Sequence, residues 1–185
     1  MPTSTPLRHF GRCWVSEVPT EPVLHITFVC SGNICRSPMA EKMFAHQISE
    51  RGLAGVVRVS SAGTGGWHAG DGADKRACLV LRERGYPSEH VAAQVCEDHL
   101  GADLVVALGR NHMRMLTDLG VTGDRLRMLR SFDPRSGAHA LDVEDPYYGD
   151  RADFEDVFTV IEASLPGLHA WVDEALTRRG VLEKS

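Results

Sequence analysis

The chain has 185 residues, of which 43% are hydrophobic, and this suits one domain with a substantial core. A formal net charge of −5 and a pI near 6.0 argue against nucleic acid or an anionic membrane as a partner, and no apolar run reaches transmembrane length. The five cysteines have neither the spacing of a disulfide framework nor that of a zinc site, which predicts reduced thiols, a cytoplasmic location and no bound metal.

Residues 1–22 contain four prolines and no apolar periodicity, so they are predicted to form a flexible extension with Phe10 and Trp14 as local anchors. They lack the apolar segment of a signal peptide. The single predicted domain spans residues 23–180. It begins with an apolar run at residues 23–29 that predicts a buried parallel strand.

The loop at residues 30–37 has the form of an anion cradle. It contains Gly32, and Ser37 and Pro38 can cap and start the next helix, which is predicted over residues 38–51. The backbone N–H groups of such a loop and the positive end of the helix dipole both attract negative charge.

Two side chains give this cradle its chemistry. Cys30 adds a nucleophile at the end of the strand, and the loop amides, the helix N-terminus and Arg36 favour its thiolate form. Arg36 can bind two phosphoryl oxygens at once through its planar fork. Ser37 can hydrogen-bond the sulfur, besides or instead of capping the helix. The combination predicts phosphoryl transfer through cysteine.

The same spacing of Cys and Arg occurs a second time and serves as a control. Cys78 and Arg84 match it, but both lie within a helix predicted over residues 74–84, where no loop can gather groups around a phosphate. Cys78 is therefore interpreted as a small buried hydrophobic residue. The strand before Cys30, the glycine in its loop and the helix after it set that cysteine apart.

The rest of the chain alternates between strands and helices. Further strands are predicted at residues 56–60, 103–108 and 125–129, and further helices at residues 111–119 and 153–178. Glu41 and Lys42 are expected on the outer face of the first helix, and Pro166 predicts a kink or break in the last one near residues 163–166. The alternation predicts a parallel α/β sheet covered on both faces, with residues 30–37 at the edge where ligands bind.

A phosphomonoester also needs a proton for its leaving oxygen, and an acidic stretch near the C-terminus can supply one. Its carboxylates are Asp142, Glu144, Asp145 and Asp150. Asp145 is the candidate because it lies on a loop that Pro146 stiffens, while a solvated acidic surface is the alternative. Three loop aromatics are candidate walls of an aryl pocket, or simply packing residues: Trp67, Tyr147 and Tyr148.

The segment from Val29 to Pro38, followed near the C-terminus by Asp145-Pro146-Tyr147-Tyr148, resembles the low-molecular-weight protein tyrosine phosphatases of bacterial type. The likeness runs from about residue 23 to residue 178. It implies a single α/β domain with a four-stranded parallel sheet flanked by helices on both faces, the flavodoxin-like fold of the type I phosphotyrosine phosphatases. It also implies hydrolysis of tyrosine-phosphorylated proteins through a phosphocysteine intermediate, without a cofactor.

The resemblance carries over to individual residues. Cys30 would be the nucleophile, Arg36 the phosphate clamp, and Asp145 first the acid and then the base. The loop residues Ser31, Gly32, Asn33, Ile34, Cys35 and Ser37 would bind the phosphate, and Trp67, Tyr147 and Tyr148 would line the phosphotyrosine cleft. Asn33 would hold the loop's shape through hydrogen bonds with Ser37, Ser61 and His90. Relatives acting on phosphoarginine tend to have Thr at the position of Ile34, so Ile34 favours phosphotyrosine.

Two forms of regulation are considered, the first from the same resemblance and the second from the expected exposure of two tyrosines. Cys35 matches a second loop cysteine of the family, which implies a reversible Cys30–Cys35 disulfide on oxidation; the alternative is a packed loop residue. Tyr147 and Tyr148 are expected to be exposed enough for a tyrosine kinase.

Two other functions compete with a phosphatase. Arsenate reductases of this fold relay a disulfide through two further cysteines close together, whereas Cys78 and Cys96 are eighteen residues apart and do not match. A phosphate-binding module without turnover would need neither Cys30 nor Asp145.

Overall fold

The computed structural model describes residues 21–137 and 140–183. The strands are β1 (Leu24–Cys30), β2 (Val57–Gly63), β3 (Leu104–Ala107) and β4 (Leu126–Met128). The α-helices are α1 (Arg36–Glu50), α2 (Lys75–Glu83), α3 (Glu97–Leu100), α4 (Arg110–Asp118) and α5 (Arg151–Arg178). The extension predicted over residues 1–22 lies outside the described residues except for its last two positions, so it stays a prediction.

The strands form one parallel sheet in the order β2-β1-β3-β4. Cys30, the last residue of β1, pairs with Gly63, the last residue of β2, and Val29 pairs with Ala107 at the end of β3. The carboxyl ends of these strands therefore meet at one edge of the sheet. The loop after β1 lies at the centre of that edge, where parallel sheets bind ligands.

Helices cover both faces of the sheet because successive strand residues point to opposite sides. Phe28 of β1 packs against Phe44 of α1, with ring centroids 6.0 Å apart, in a core that also includes residues of α2 and α5. Val29 points to the other side and shares a core cluster with Leu116 of α4. The predicted single α/β domain with a four-stranded parallel sheet is confirmed.

Three predictions about the first half of the chain need correction. Helix α1 begins at Arg36 rather than near Pro38. Strand β2 continues to Gly63, because its pairing with β1 extends to Cys30, the last residue of that strand. On its other side, the amide and carbonyl of Gly63 bond with residues 93–95. The Glu41 carboxylate does not face solvent; it accepts a hydrogen bond from the Ser61 hydroxyl.

Two predictions about helices also differ from the structure. Helix α5 runs unbroken past Pro166, which lies on its exposed face. The carbonyl of Glu162, which loses its helical N–H donor there, belongs to an exposed residue, so water can satisfy it. Cys78 lies within α2 as expected, but it is only half-buried.

In the described part of the chain no helix is both long and apolar enough to cross a bilayer.

Candidate active site

The loop between β1 and α1, residues 30–36, is the phosphate loop of the candidate site. Cys30 is buried at the end of β1, and its Sγ lies 3.0 Å from the hydroxyl oxygen of Ser37 in the first turn of α1. Helix α1 has no side-chain cap, so the capping role expected of Ser37 is wrong. The hydroxyl contacts the sulfur, which was the other role predicted for Ser37.

Asn33 is held in the left-handed region, with φ of 56°, by hydrogen bonds on every side. Its Nδ2 donates to the hydroxyls of Ser37 (2.9 Å) and Ser61 (2.8 Å), and its Oδ1 accepts the backbone N–H of Ala93 at 2.9 Å. His90 donates from Nε2 to the backbone carbonyl of Asn33 at 2.9 Å, rather than to the amide side chain. These bonds fix the curvature of the loop around the cysteine.

Arg36 and Asp145 meet in front of this loop, although 109 positions separate them in the sequence. Arg36 is buried, and its guanidinium donates to Asp145 Oδ2 at 2.7 Å and to the carbonyl of Val143 at 3.1 Å. The backbone N–H of Val143 donates to the carbonyl of Leu108, which ties the acidic segment to the end of β3. Among the described residues, no acceptor contacts the buried Nε atom of Arg36, so this donor is available to a ligand.

A cavity of about 300 Å³ opens above Cys30 and contains most of the predicted ligand-binding residues. It is lined by Cys30, Ser31, Gly32, Ile34, Cys35, Arg36, Trp67, His68, Asp145, Tyr147 and Tyr148. Asn33, Ser37, Ser61 and His90 are not among the lining residues, and they support the loop through the contacts described above. The three aromatic residues form an exposed rim, since Trp67 is 69%, Tyr147 40% and Tyr148 96% exposed.

Cys35 also lines the cavity, but its state differs from that expected of a nucleophile. Burial raises the pKa of the Cys35 thiol far above its ordinary value, so the group is protonated at neutral pH. Both Cys30 and Cys35 are free thiols in this structure.

The site can be compared with known proteins. The family model described as low molecular weight phosphotyrosine protein phosphatase matches residues 25–179. The chain belongs to this family. Low molecular weight protein-tyrosine phosphatase A of Mycobacterium tuberculosis is 70% identical over 157 residues, which cover 85% of this chain and 96% of the relative.

The chain is also similar to more distant proteins, one compared by sequence and one by structure. The human low molecular weight phosphotyrosine protein phosphatase is 35% identical over 149 residues, covering 78% of this chain and 90% of that one. The crystal structure of YfkJ from Bacillus subtilis superposes with a TM-score of 0.76 at 31% identity, covering 84% of this chain and 98% of that one. The chain is accordingly a hydrolase of the low molecular weight phosphatase type.

The phosphatase site also contains a residue that the sequence did not suggest. His112 of α4 is fully buried, and its Nε2 lies 2.9 Å from the hydroxyl oxygen of Ser31 in the phosphate loop. The same hydroxyl accepts a longer hydrogen bond, 3.3 Å, from Arg36. Burial, with a smaller contribution from the Arg36 charge, lowers the pKa of His112 to about 4, so the ring is neutral. The sequence around His112 has no metal-ligand spacing or other feature that marks the residue as functional.

Within the described residues, no group of three or more His, Cys, Asp or Glu side chains is arranged to hold a metal ion.

Proposed function

We propose that this phosphatase hydrolyses phosphotyrosine in proteins through a phosphocysteine intermediate on Cys30. One observation carries the proposal: the sulfur of Cys30, the guanidinium of Arg36 and the carboxylate of Asp145 converge on a single cavity. Each of these groups has a distinct task in phosphoryl transfer.

In the first step the thiolate of Cys30 attacks phosphorus. The S–P bond forms while the bond from phosphorus to the phenolic oxygen breaks, and protonated Asp145 gives its proton to that oxygen, which leaves as tyrosine. The phosphate displaces Asp145 as the partner of Arg36. The orphan Nε of Arg36 then gains an acceptor, and the fork stabilises the charge on the phosphoryl oxygens.

In the second step water attacks the phosphorus of phosphocysteine. Asp145, now a carboxylate, takes the proton from that water, and the S–P bond breaks to release inorganic phosphate. The Ser37 hydroxyl, 3.0 Å from the sulfur, stabilises the departing thiolate of Cys30. Since Arg36 and the loop amides supply the positive charge, we expect this chemistry to need no cofactor.

The rim of the cavity suits an aromatic phosphate ester. Trp67, Tyr147 and Tyr148 can contact the faces and edge of a phenyl ring whose phosphate reaches the loop below. Ile34 adds an apolar surface to the lining. We therefore propose tyrosine-phosphorylated proteins as the substrates, with the enzyme acting in the cytoplasm.

Two regulatory proposals remain attached to this site. A peroxide would transfer one oxygen to the thiolate of Cys30, giving a sulfenic acid and water or an alcohol, and the thiol of Cys35 would then attack that sulfur to give a disulfide and water. Irreversible loss of activity after peroxide treatment, with sulfinic acid on Cys30 alone, would contradict this. Tyr147 and Tyr148 are proposed targets of a tyrosine kinase, which the intact mass of the protein after kinase treatment would test.

The proposed mechanism is tested with a phosphotyrosine peptide and an aryl phosphate in the presence of a chelator. We expect turnover by the wild type, a loss of at least about 10⁴-fold in Cys30→Ser, and a loss of about 10²- to 10³-fold in Asp145→Asn. The Cys78→Ala/Cys96→Ala variant should retain full activity, because a thiol relay is not involved. Absence of turnover by folded, reduced wild type would overturn the proposal.

A further inference from the structure

Arg76, in the first turn of α2, reaches across to the segment that carries Asp145. Its two terminal nitrogens donate to backbone carbonyls there, to that of Gly149 at 2.7 Å and to that of Tyr147 at 3.0 Å. Residues 145–149 form a turn in which the N–H of Gly149 donates to the carbonyl of Pro146. We call residues 145–149 the acid turn. The Arg76 guanidinium thus binds two backbone carbonyls of the acid turn.

The other side of Arg76 is fixed to the phosphate loop. Asp74 accepts hydrogen bonds from Nε of Arg76 at 3.0 Å and from Nη2 at 2.7 Å. This pairing lowers the pKa of Asp74. The backbone N–H of Asp74 donates to the carbonyl of Ile34 at 2.7 Å. The guanidinium also lies over the ring of Phe154 in α5, 4.5 Å from its centroid. Arg76 therefore joins the phosphate loop, α2, α5 and the acid turn.

The backbone of Tyr147 connects the Arg76 guanidinium to the Asp145 carboxylate. The carbonyl of Tyr147 is held by Arg76, and its N–H donates to Oδ1 of Asp145 at 3.3 Å. The second carboxylate oxygen, Oδ2, then faces Arg36 in the cavity. Fixing the backbone of residue 147 thereby fixes which oxygen of Asp145 faces Arg36.

We propose that Arg76 is a positioning residue for proton transfer: it holds the acid turn against the phosphate loop so that Asp145 meets the leaving oxygen. The inference rests on the proposed function, because it takes Asp145 as the acid. Arg76 itself touches neither the substrate nor Cys30. Its planar fork suits the task, since two carbonyls and one carboxylate need donors in one plane.

Leaving-group dependence separates a positioning role from a merely structural one. A well-placed acid matters most for a basic leaving oxygen, such as that of phenyl phosphate, whose phenol has a pKa close to the value of about 10 for tyrosine. It matters less for 4-nitrophenyl phosphate, whose phenolate leaves readily. The quantity to compare is kcat/KM, because the breakdown of phosphocysteine, common to all substrates, does not enter it.

The variants are Arg76→Met, Arg76→Lys and the control Arg151→Met. Arg151 also bridges α2 and α5, through Glu83 and Glu155, but it has no contact with the acid turn among the bonds of the described residues. We expect Arg76→Met to lower kcat/KM for phenyl phosphate about tenfold more than for 4-nitrophenyl phosphate. Arg76→Lys should fall between Arg76→Met and wild type, and Arg151→Met should match wild type.

Asp145→Asn, measured alongside, separates failure of this inference from failure of the proposed function. Suppose that Asp145→Asn steepens the dependence of kcat/KM on the leaving group while Arg76→Met lowers kcat/KM equally for all substrates or not at all. In that case the proposed role of Arg76 is wrong and the assignment of Asp145 as the acid is retained. If Asp145→Asn leaves the dependence unchanged, Asp145 is not the acid and both proposals fall. Should Arg76→Met fail to fold by circular dichroism, Asp74→Asn carries the same test, because asparagine still caps α2 while the ion pair is lost.

Discussion

His112 shows how one buried side chain connects a distant helix to the phosphate loop. Among the described residues, the side chain of His112 hydrogen-bonds to Ser31, 81 positions earlier, and its Nδ1 atom has no partner. A neutral imidazole fits this environment, whereas an imidazolium there would be desolvated beside Arg36. The folded protein therefore favours the neutral form of the ring.

The lowered pKa of His112 predicts a pH-dependent stability. Above about pH 6.5 the ring of His112 is neutral in the folded and in the unfolded protein. As the pH falls below this value, the ring becomes protonated in the unfolded chain, whereas in the folded protein it stays neutral down to about pH 4. This group should therefore reduce the free energy of unfolding by up to about 3 kcal/mol between those pH values. His112→Gln, whose amide can still donate to Ser31, should lose that part of the pH dependence in urea titrations. The other histidines are common to both proteins, so identical pH profiles would contradict the account.

At the scale of elements, the end of β2 presses against the phosphate loop. A Cβ placed on Gly63 would lie 2.8 Å from the carbonyl oxygen of Ser31 and 3.0 Å from the carbonyl carbon of Gly32. These are backbone atoms of the loop, so they cannot give way as a flexible side chain would. The absence of a side chain at residue 63 is what lets β2 and the loop pack together.

Gly63→Ala should accordingly displace the phosphate loop. We expect kcat/KM to fall by about 10- to 100-fold, since a shift of about 1 Å in a reacting group has effects of that size. Inhibition by inorganic phosphate should weaken as well. Gly72→Ala is the matched control, because its Cβ would meet only the carbonyl of His90, at 4.0 Å. An unchanged kcat/KM in Gly63→Ala, with the protein folded, would contradict the packing argument.

The elements themselves were largely predictable from the sequence, and the differences have local causes. Apolar runs and periodicity located every strand and each helix of more than four residues to within a few positions. The extension of β2 to Gly63 was not predictable, because it depends on pairing with the end of β1, and the small residues at positions 61–63 do not signal a strand. The unbroken α5 was not predictable either, because the effect of Pro166 depends on which side of the helix faces water.

At the scale of the whole molecule, the site is assembled from segments that only the fold brings together. The phosphate loop could be recognised from one continuous motif, as could the cysteine and arginine within it. The loop position of Asp145 beside Pro146 made it the candidate among four carboxylates, and the family resemblance strengthened that choice. Its 2.7 Å contact with Arg36, 109 positions away, could not be predicted from the residues around it. Arg76 and His112 had no sequence signal at all, since their contacts depend on the packing of α2 and α4 around the loop.

The most direct test of the mechanism is to trap the covalent intermediate. Wild-type enzyme is mixed with a phosphotyrosine peptide, quenched within milliseconds into alkaline denaturant, and mapped by peptide mass spectrometry. We predict phosphate on Cys30 in the wild type and none in Cys30→Ser. Steady turnover with phosphate on another residue, or on none, would contradict the phosphocysteine mechanism.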